Sequence, residues 1–419
     1  MFDERKRCFW HDHINFVFAI SPERYFRLPH MRCPPNSSPR EITRWPPRMM
    51  ELSTAGVASA VHEAISTNVV ARGVGSGTWL FGGPVVNDAA AAAVRPCGGV
   101  IEYTPGDLVI SVRAGTTLEE LSAVCAASDQ MLAIAPYGSP RSTIGAVVAT
   151  ASAAPLSYED FTIRDLVLGL TAVTGTGDIV RVGGKVVKNV AGFDLVRLNT
   201  GAFGTLGVIT EVSVRLHAKP IMDHVVTGTL DDAPDAWVLR LVANRAPLPM
   251  LVRMAPGEPT QLFARCTGNE ARASALRGIV QLYGARSAFT LGPSDTNSGG
   301  ESASPVQMLR HVPEQALVLR ARAKPSHGAS LIDAARFAFP EATLLFHPAR
   351  GSIRITTSVT DNADARVAAF VASAAPSIPF SVVVEQGASP LRQANALDEM
   401  VKRAFDPHGI LNRRRPGAV

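Results

Sequence analysis

The sequence has little of several things, and each shortage narrows what the chain can be. It has five cysteines in 419 residues (Cys8, Cys33, Cys97, Cys125 and Cys266), with no C-x-x-C pair and no spacing that suits zinc or an iron–sulfur cluster. They read as reduced thiols in a reducing compartment. Charged residues make up only 18% and aromatic residues 6%. No apolar run approaches the roughly 20 residues that span a bilayer. Ile14 to Ile20 is short and leads to no small-residue cleavage pattern, which reads against a secretory signal. The expected location is the cytoplasm.

Basic charge is scarce where a nucleic-acid groove would need it. Of the net +5, residues 1–48 contribute nine Lys/Arg against five Asp/Glu, and Arg413, Arg414 and Arg415 sit at the other end. The body between is close to neutral, so a phosphodiester-binding face is not expected. In the second half of the chain His224, His311, His327 and His347 stand singly, with no second ligand at metal spacing, and no metal is expected.

What is present is length and glycine. With 46% hydrophobic residues the chain can build two or three full cores. Residues 1–48 carry Pro34-Pro35, Ser37-Ser38-Pro39 and Pro46-Pro47 with no periodicity, and read as a disordered extension, with Met49 or Met50 as a candidate start. From Ser53 or Thr54 a capped helix is expected, with Val57, Val61 and Ile65 on one face. A short strand at Val69–Arg72 then runs into Gly73-Val74-Gly75-Ser76-Gly77-Thr78, followed by Gly82-Gly83-Pro84. A dinucleotide fingerprint needs G-x-G-x-x-G opening a helix, and a P-loop needs G-K-[ST]; neither is here. A loop of free N–H groups, able to cradle a pyrophosphate without a helix, remains.

Strands follow at Val100–Tyr103 and Val109–Ala114 around the turn Thr104-Pro105-Gly106-Asp107, and Thr117 with Glu120 forms a capping box for the next helix. Pro136-Tyr137-Gly138-Ser139-Pro140 is irregular. The run of small residues from Thr143-Ile144-Gly145-Ala146 to Ala154 either lets backbone approach a flat partner or forms a tightly packed helix. Arg164–Val173 reads as a buried strand, turning at Gly175-Thr176-Gly177-Asp178 into a hairpin with Ile179–Val182. The stretch 183–211 then holds six glycines and two lysines, ending in a strand from Val208 to Leu216. Lys185 and Lys188 are either counter-charges for an anionic ligand or solvated lysines on a hairpin.

The ordered set of the Gly73–Thr78 loop, the Val109–Gly115 strand and its capped helix, Thr143-Ile144-Gly145, Arg164–Gly169, Lys188-Asn189-Val190-Ala191-Gly192-Phe193-Asp194-Leu195 and Phe203–Glu211 resembles a known pattern. It is similar to the vanillyl-alcohol oxidase, or PCMH-type, FAD-binding family, and within it to the FAD-binding subunits of glycolate oxidase. The likeness covers roughly residues 52–220 and a C-terminal piece. It implies an α+β fold: a two-subdomain PCMH-type FAD-binding domain over 49–220, then an α+β cap over 221–394, an antiparallel sheet with helices on one face. A solvated Ser/Gly linker is expected at 293–305, and 395–419 is expected to return to the first domain as a helix and tail. The family's ending normally continues Asn-Pro-Gly, and here Arg413-Arg414-Arg415 intervenes between Asn412 and Pro416-Gly417.

The resemblance also implies the site. FAD is expected along Arg72, Gly73, Val74, Gly75, Ser76, Gly77 and Thr78, along Gly138, Ser139, Thr143, Ile144 and Gly145, and along Lys188, Asn189, Gly204, Gly207, Val208 and Ile209. The first loop has no histidine of the kind that links flavin covalently in some relatives, so noncovalent FAD is expected. Relatives that oxidise 2-hydroxy acids alone carry a Gly-Asp-Gly-Asn-x-His segment and a Glu-His pair, both absent here. The expected role is FAD subunit of a complex oxidising glycolate to glyoxylate, with a second flavin subunit and an iron–sulfur subunit as partners and any membrane association running through them. A stand-alone dehydrogenase and a non-catalytic flavin scaffold or electron relay are the alternatives. No catalytic residue is assigned.

Overall fold

The computed structural model describes residues 50–78, 91–134, 136–152, 156, 161–184, 194–230, 249–272, 274–275, 278, 292–293, 309–311, 313, 316–358, 362–376, 378–387 and 396–411. The expected extension at 1–48, the Gly82-Gly83-Pro84 turn, Lys185, Lys188, Asn189 and Asn412 lie outside them.

Strand β1 (Glu51–Leu52) leads into helix α1 (Thr54–Thr67). Ser53 starts α1 because its extended backbone lets Oγ accept the Gly56 N–H at 3.2 Å. Asn68 ends it in the left-handed region, at φ +53°. Val57 and Val61 are fully buried, as their spacing predicts. β2 (Ala71–Gly73) and β3 (Ala92–Pro96) pair in parallel, and β1 pairs with β3, giving the sheet order β1-β3-β2.

The next elements in chain order are β4 (Val100–Thr104), β5 (Val109–Arg113), α2 (Leu118–Ala126), β6 (Gln130–Met131), α3 (Ile144–Thr150) and α4 (Ile163–Leu166). After them come β7 (Val167–Val173), β8 (Ile179–Gly183), α5 (Leu195–Asn199), β9 (Val208–Arg215) and β10 (His217–Ala218). Five of these strands form an antiparallel sheet, β4-β5-β9-β7-β8, whose inner side chains (Ile110, Val112, Leu170, Val212, Val214) meet Leu121 of α2 and Ile144 and Val148 of α3. The Thr117–Glu120 capping box is present in both directions, at 2.8 and 3.1 Å.

One open alternative is decided and one expectation needs adjusting. The small-residue run is a helix, α3, started by Thr143. The strand expected from Arg164 begins only at Val167, because Asp165 Oδ2 accepts both the N–H (2.8 Å) and the hydroxyl (2.6 Å) of Thr162 and winds residues 163–166 into a helical turn. A local cap outcompetes strand propensity there.

The remainder contains β11 (Met222–Leu230), β12 (Met250–Met254), β13 (Thr260–Gly268), β14 (Gly292–Pro293), β15 (Ala316–Ala323), α6 (Gly328–Ala338) and β16 (Thr343–His347). It continues with β17 (Ser352–Ser358), α7 (Ala363–Ala374), β18 (Phe380–Gln386) and α8 (Ala396–Phe405). Eight strands make one antiparallel sheet in the order β14-β11-β13-β12-β16-β17-β15-β18. Pro293, expected in a linker, pairs with His224 in β14. Alternation decides the faces. Val252, Ala264, Leu319, Phe346 and Ile355 point one way and pack with Leu331 and Ile332 of α6 and Val367 and Phe370 of α7. Val225, Leu251, Phe263 and Leu345 point the other way and meet Tyr137 and Leu156. The cap sheet is thus covered by helices on one face and by the first half of the chain on the other.

Two polar devices join the parts. Arg265 on β13 is fully buried, holds Asp223 through Nε (2.9 Å) and Nη2 (2.7 Å), and donates Nη1 to the Leu156 carbonyl at 2.8 Å. At the other end, the segment after α8 lies beside β2: the Ala71 N–H donates to the Ile410 carbonyl at 2.8 Å, and Leu411 bridges Ala71 in parallel. Asp406 Oδ1 and Oδ2 accept the N–H groups of Ile410 and Leu411, and Lys402 Nζ bonds Asp406, Leu411 O and Thr205 O at 2.6–2.7 Å. Among the described residues no helix is long and apolar enough to cross a membrane.

Candidate functional site

β2 delivers its last residue, Gly73, against Val208 of β9, and Val74 still donates its N–H to Val94 O at 2.9 Å. Beyond that point the N–H groups of Gly75, Ser76 and Gly77 are not spent on any hydrogen bond among the described residues. The loop is instead held from its side chains. Ser76 Oγ donates to Arg141 O at 2.5 Å, and the hydroxyls of Thr78 and Ser142 lie 2.8 Å apart. Gly75 lies so close to Thr143 that a Cβ there would fall 2.3 Å from Thr143 Oγ1. Three successive donors facing no acceptor among the described residues suit a polyanion.

The second segment is built from the α2–α3 connection. Gly138, at φ +95°, donates to Arg310 O (3.0 Å), and Ser139 Oγ accepts the Arg141 N–H (3.1 Å). Thr143 is buried and starts α3, while Ile144 and Gly145 donate to Thr116 O and Ala114 O, both at 2.9 Å. A Cβ on Gly145 would fall 2.7 Å from Ala114 Cβ and 2.9 Å from its carbonyl oxygen. Such contact requires backbone displacement, at a cost of about 1–3 kcal/mol. Gly145→Ala is therefore expected to weaken FAD retention roughly 10–100-fold, read by titrating the stripped protein with FAD and following flavin fluorescence.

The third segment is the loop before β9. Phe203 (φ +53°) and Gly204 (φ +71°) take left-handed backbone, and Phe203 donates to Ala149 O at the end of α3, at 2.7 Å. Gly207 lies against Ala172, and Val208 and Ile209 pair with Val173 and Ala172 of β7. The structure therefore brings Gly73–Thr78, Gly138–Gly145 and Gly204–Ile209 around α3, with Arg72 buried on β2 behind them. Three N–H groups without an acceptor among the described residues, together with close glycine contacts, are the donor set and the flat, narrow walls that a dinucleotide flavin fits.

Sequence reasoning missed a group on the facing side of the cap sheet. Arg320 and Arg354 are direct cross-strand partners on β15 and β17. Glu385 on β18 pairs with both, at 3.0 Å to Arg320 Nε and 2.8 Å to Arg354 Nε. The Arg354 guanidinium lies over the Tyr137 ring, 3.7 Å from its centroid, and Tyr137 immediately precedes Gly138. A signal was available: Arg320 follows the buried apolar run Leu317–Leu319, and Arg354 stands between the buried Ile353 and Ile355.

Electrostatics set the states of these groups. Burial would raise the Glu385 carboxyl, but Arg354 and then Arg320 outweigh it and hold it below the usual carboxylate range. Burial pushes the Tyr137 phenol up, with Arg354 opposing and Glu385 reinforcing, so it stays protonated at neutral pH. A depressed carboxylate stabilises the fold above its unfolded pKa, and that stabilisation is lost as pH falls through the folded pKa. The stability gap between wild type and Glu385→Gln is thus expected to narrow below about pH 4.3, in urea unfolding series from pH 6 to 3.

Comparison with known proteins gives the following. A family model described as FAD binding domain matches residues 52–183. The glycolate oxidase subunit GlcE of Escherichia coli (strain K12) is 41% identical over 164 residues, 38% of this chain and 46% of that protein. The D-lactate dehydrogenase of Archaeoglobus fulgidus is 30% identical over 195 residues, 46% of this chain and 44% of that protein. The matches thus span under half the length of these two relatives. Among solved structures, the 4-ethylphenol oxidase from Gulosibacter chungangensis superposes with a TM-score of 0.63 at 15% identity, covering 86% of this chain and 87% of that one. That likeness is one of fold.

Proposed function

We propose that the chain, whose residues 52–183 match an FAD-binding domain model, is the FAD-carrying component of an assembly that oxidises a small 2-hydroxy acid, glycolate to glyoxylate in the first instance. The observation that carries this reading is that the second glycine-containing segment meets a cap face bearing Arg320, Arg354 and Glu385, through the Arg354 guanidinium over the Tyr137 ring.

FAD, when bound, supplies a two-electron acceptor for a carbon that bears a hydroxyl. The chain's own residues do the rest. Gly75, Ser76 and Gly77 offer N–H groups to the pyrophosphate, Thr143, Ile144 and Gly145 form one wall, and Gly204, Gly207, Val208 and Ile209 form the other. Arg72, Gly73, Val74 and Thr78 hold the first loop in place, and Gly138 and Ser139 the turn into the wall. Lys188 and Asn189 complete the proposed set, and the flavin is held without a covalent link. The arginines of the cap attract a carboxylate, and Tyr137 keeps its proton as a hydrogen-bond donor. Glu385, tied to two guanidiniums, is a poor proton acceptor.

The relatives named as subunits support partners for this chain, which we take to be a second flavin subunit and an iron–sulfur subunit in the cytoplasm, with any membrane contact made through them. The test is to isolate the native protein with whatever co-purifies and add glycolate without oxygen. Bleaching of the visible flavin absorbance only when partners are present supports the assembly. Bleaching by the isolated chain points to a self-sufficient dehydrogenase, and a colourless, folded protein overturns the flavin reading.

A further inference from the structure

Like charges placed directly opposite in a β-ladder repel, so Arg320 beside Arg354 needs compensation. Glu385 is the carboxylate paired with the two among the described residues, which leaves this trio with one positive charge over. The excess is not at the surface. Arg354 is 4% exposed, and its Nη2 makes no hydrogen bond among the described residues. A buried guanidinium N–H left without an acceptor is costly, and an uncompensated charge in a dry site more so. The Tyr137 hydroxyl, next along, also has no hydrogen bond among the described residues. Arg320 keeps 29% of its side chain exposed, so the cluster is reached from its side.

An arrangement with one spare positive charge and unspent donors is complete only with an anion in it. We propose that Arg354 and Arg320 form a recognition site for a single carboxylate group, with Arg354 Nη2 and the Tyr137 hydroxyl as donors and Glu385 as the positioning residue that holds both guanidiniums side by side. The planar fork of arginine suits a carboxylate; Glu385 accepts from Arg354 Nε and lies 3.0 Å from Arg320 Nε, on the Nε side of both, so the outer nitrogens remain available. Identifying the carboxylate as that of a 2-hydroxy acid rests on the function proposed above; the anion site itself does not.

The experiment is calorimetric titration of the purified full chain, as isolated, with 2-hydroxyisobutyrate, a small 2-hydroxy acid that has no α-hydrogen and is not consumed. Wild type is expected to bind one molecule per chain. Arg354→Gln is expected to weaken binding at least about tenfold, and Arg354→Lys to leave it weak, since an ammonium cannot reproduce the fork. Flavin content and circular dichroism are read alongside. If Arg354→Gln does not fold, Arg320→Gln decides, because that side chain is partly exposed, and the same loss of affinity is expected. Unchanged affinity in a folded variant, absence of saturable binding by wild type, or malonate binding more than tenfold tighter than the monoanion overturns the proposal. A colourless wild type that binds the analogue sinks the flavin reading and leaves the site standing. A yellow one that does not bind it does the reverse.

Discussion

Arg265→Ala is expected to cost about 3–5 kcal/mol of unfolding free energy, read from the urea midpoint at neutral pH, because removing one member of a buried ion pair strands the other. The side chain is fully buried, and Asp223 takes both Nε and Nη2 while keeping only 18% of its own side-chain exposure. The same guanidinium also satisfies the Leu156 carbonyl across the boundary between cap and first domain, at 2.8 Å. The variant therefore leaves a carboxylate and a carbonyl without a donor. Removing both charges, in Arg265→Met with Asp223→Leu, is expected to be distinctly milder, since apolar replacement of a whole buried pair often comes close to neutral. A double variant as damaged as Arg265→Ala refutes the account.

Asp406→Ala is the second large effect, about 2–5 kcal/mol. This carboxylate is buried and accepts the N–H groups of Ile410 (2.9 Å) and Leu411 (2.8 Å) as well as Lys402 Nζ (2.6 Å). Losing it leaves two backbone donors and an ammonium without that partner. The consequence is local as well as global, because Lys402 also holds Thr205 O, and Ile410 O receives the N–H of Ala71 at the foot of the first glycine loop. FAD affinity is expected to fall together with stability. Asp406→Asn, which keeps one acceptor for Ile410 or Leu411, is expected to lie between the two. Full FAD affinity in Asp406→Ala, measured by fluorescence titration of the folded fraction, contradicts this coupling of the C-terminal segment to the loop.

Much of the fold was legible residue by residue. Ser53, the Thr117–Glu120 box and the Gly175–Asp178 turn act over three or four positions, and their outcome depends on nothing distant. The cap was harder. β15 carries the apolar run Ala316–Leu319, whereas β11 does not announce itself. β11 mixes Asp223, His224, Thr227, Gly228 and Thr229 with few apolar residues, and it becomes a strand because β13 pairs along its whole length. Tertiary pairing overrides weak local preference in such segments. Thr162 and Asp165 show the opposite failure, where an apolar run suggested a strand and a short-range cap took its first residues.

The sequence by itself determined the glycine-loop chemistry, the alternation that gives the cap sheet two buried faces, and the likeness to an FAD-binding family, because each depends on residue type at short spacing. Only the tertiary structure decided which charges meet. Arg265 and Asp223 are 42 positions apart, Lys402 and Thr205 are 197 apart, and Arg354 and Glu385 are 31 apart. Strand order and the packing of the cap on Tyr137 and Leu156 bring them within hydrogen-bond range, and burial makes those contacts strong. An arginine in a strand is only an anomaly in the sequence; opposite a second arginine, under one glutamate and over a tyrosine ring, it becomes an anion site.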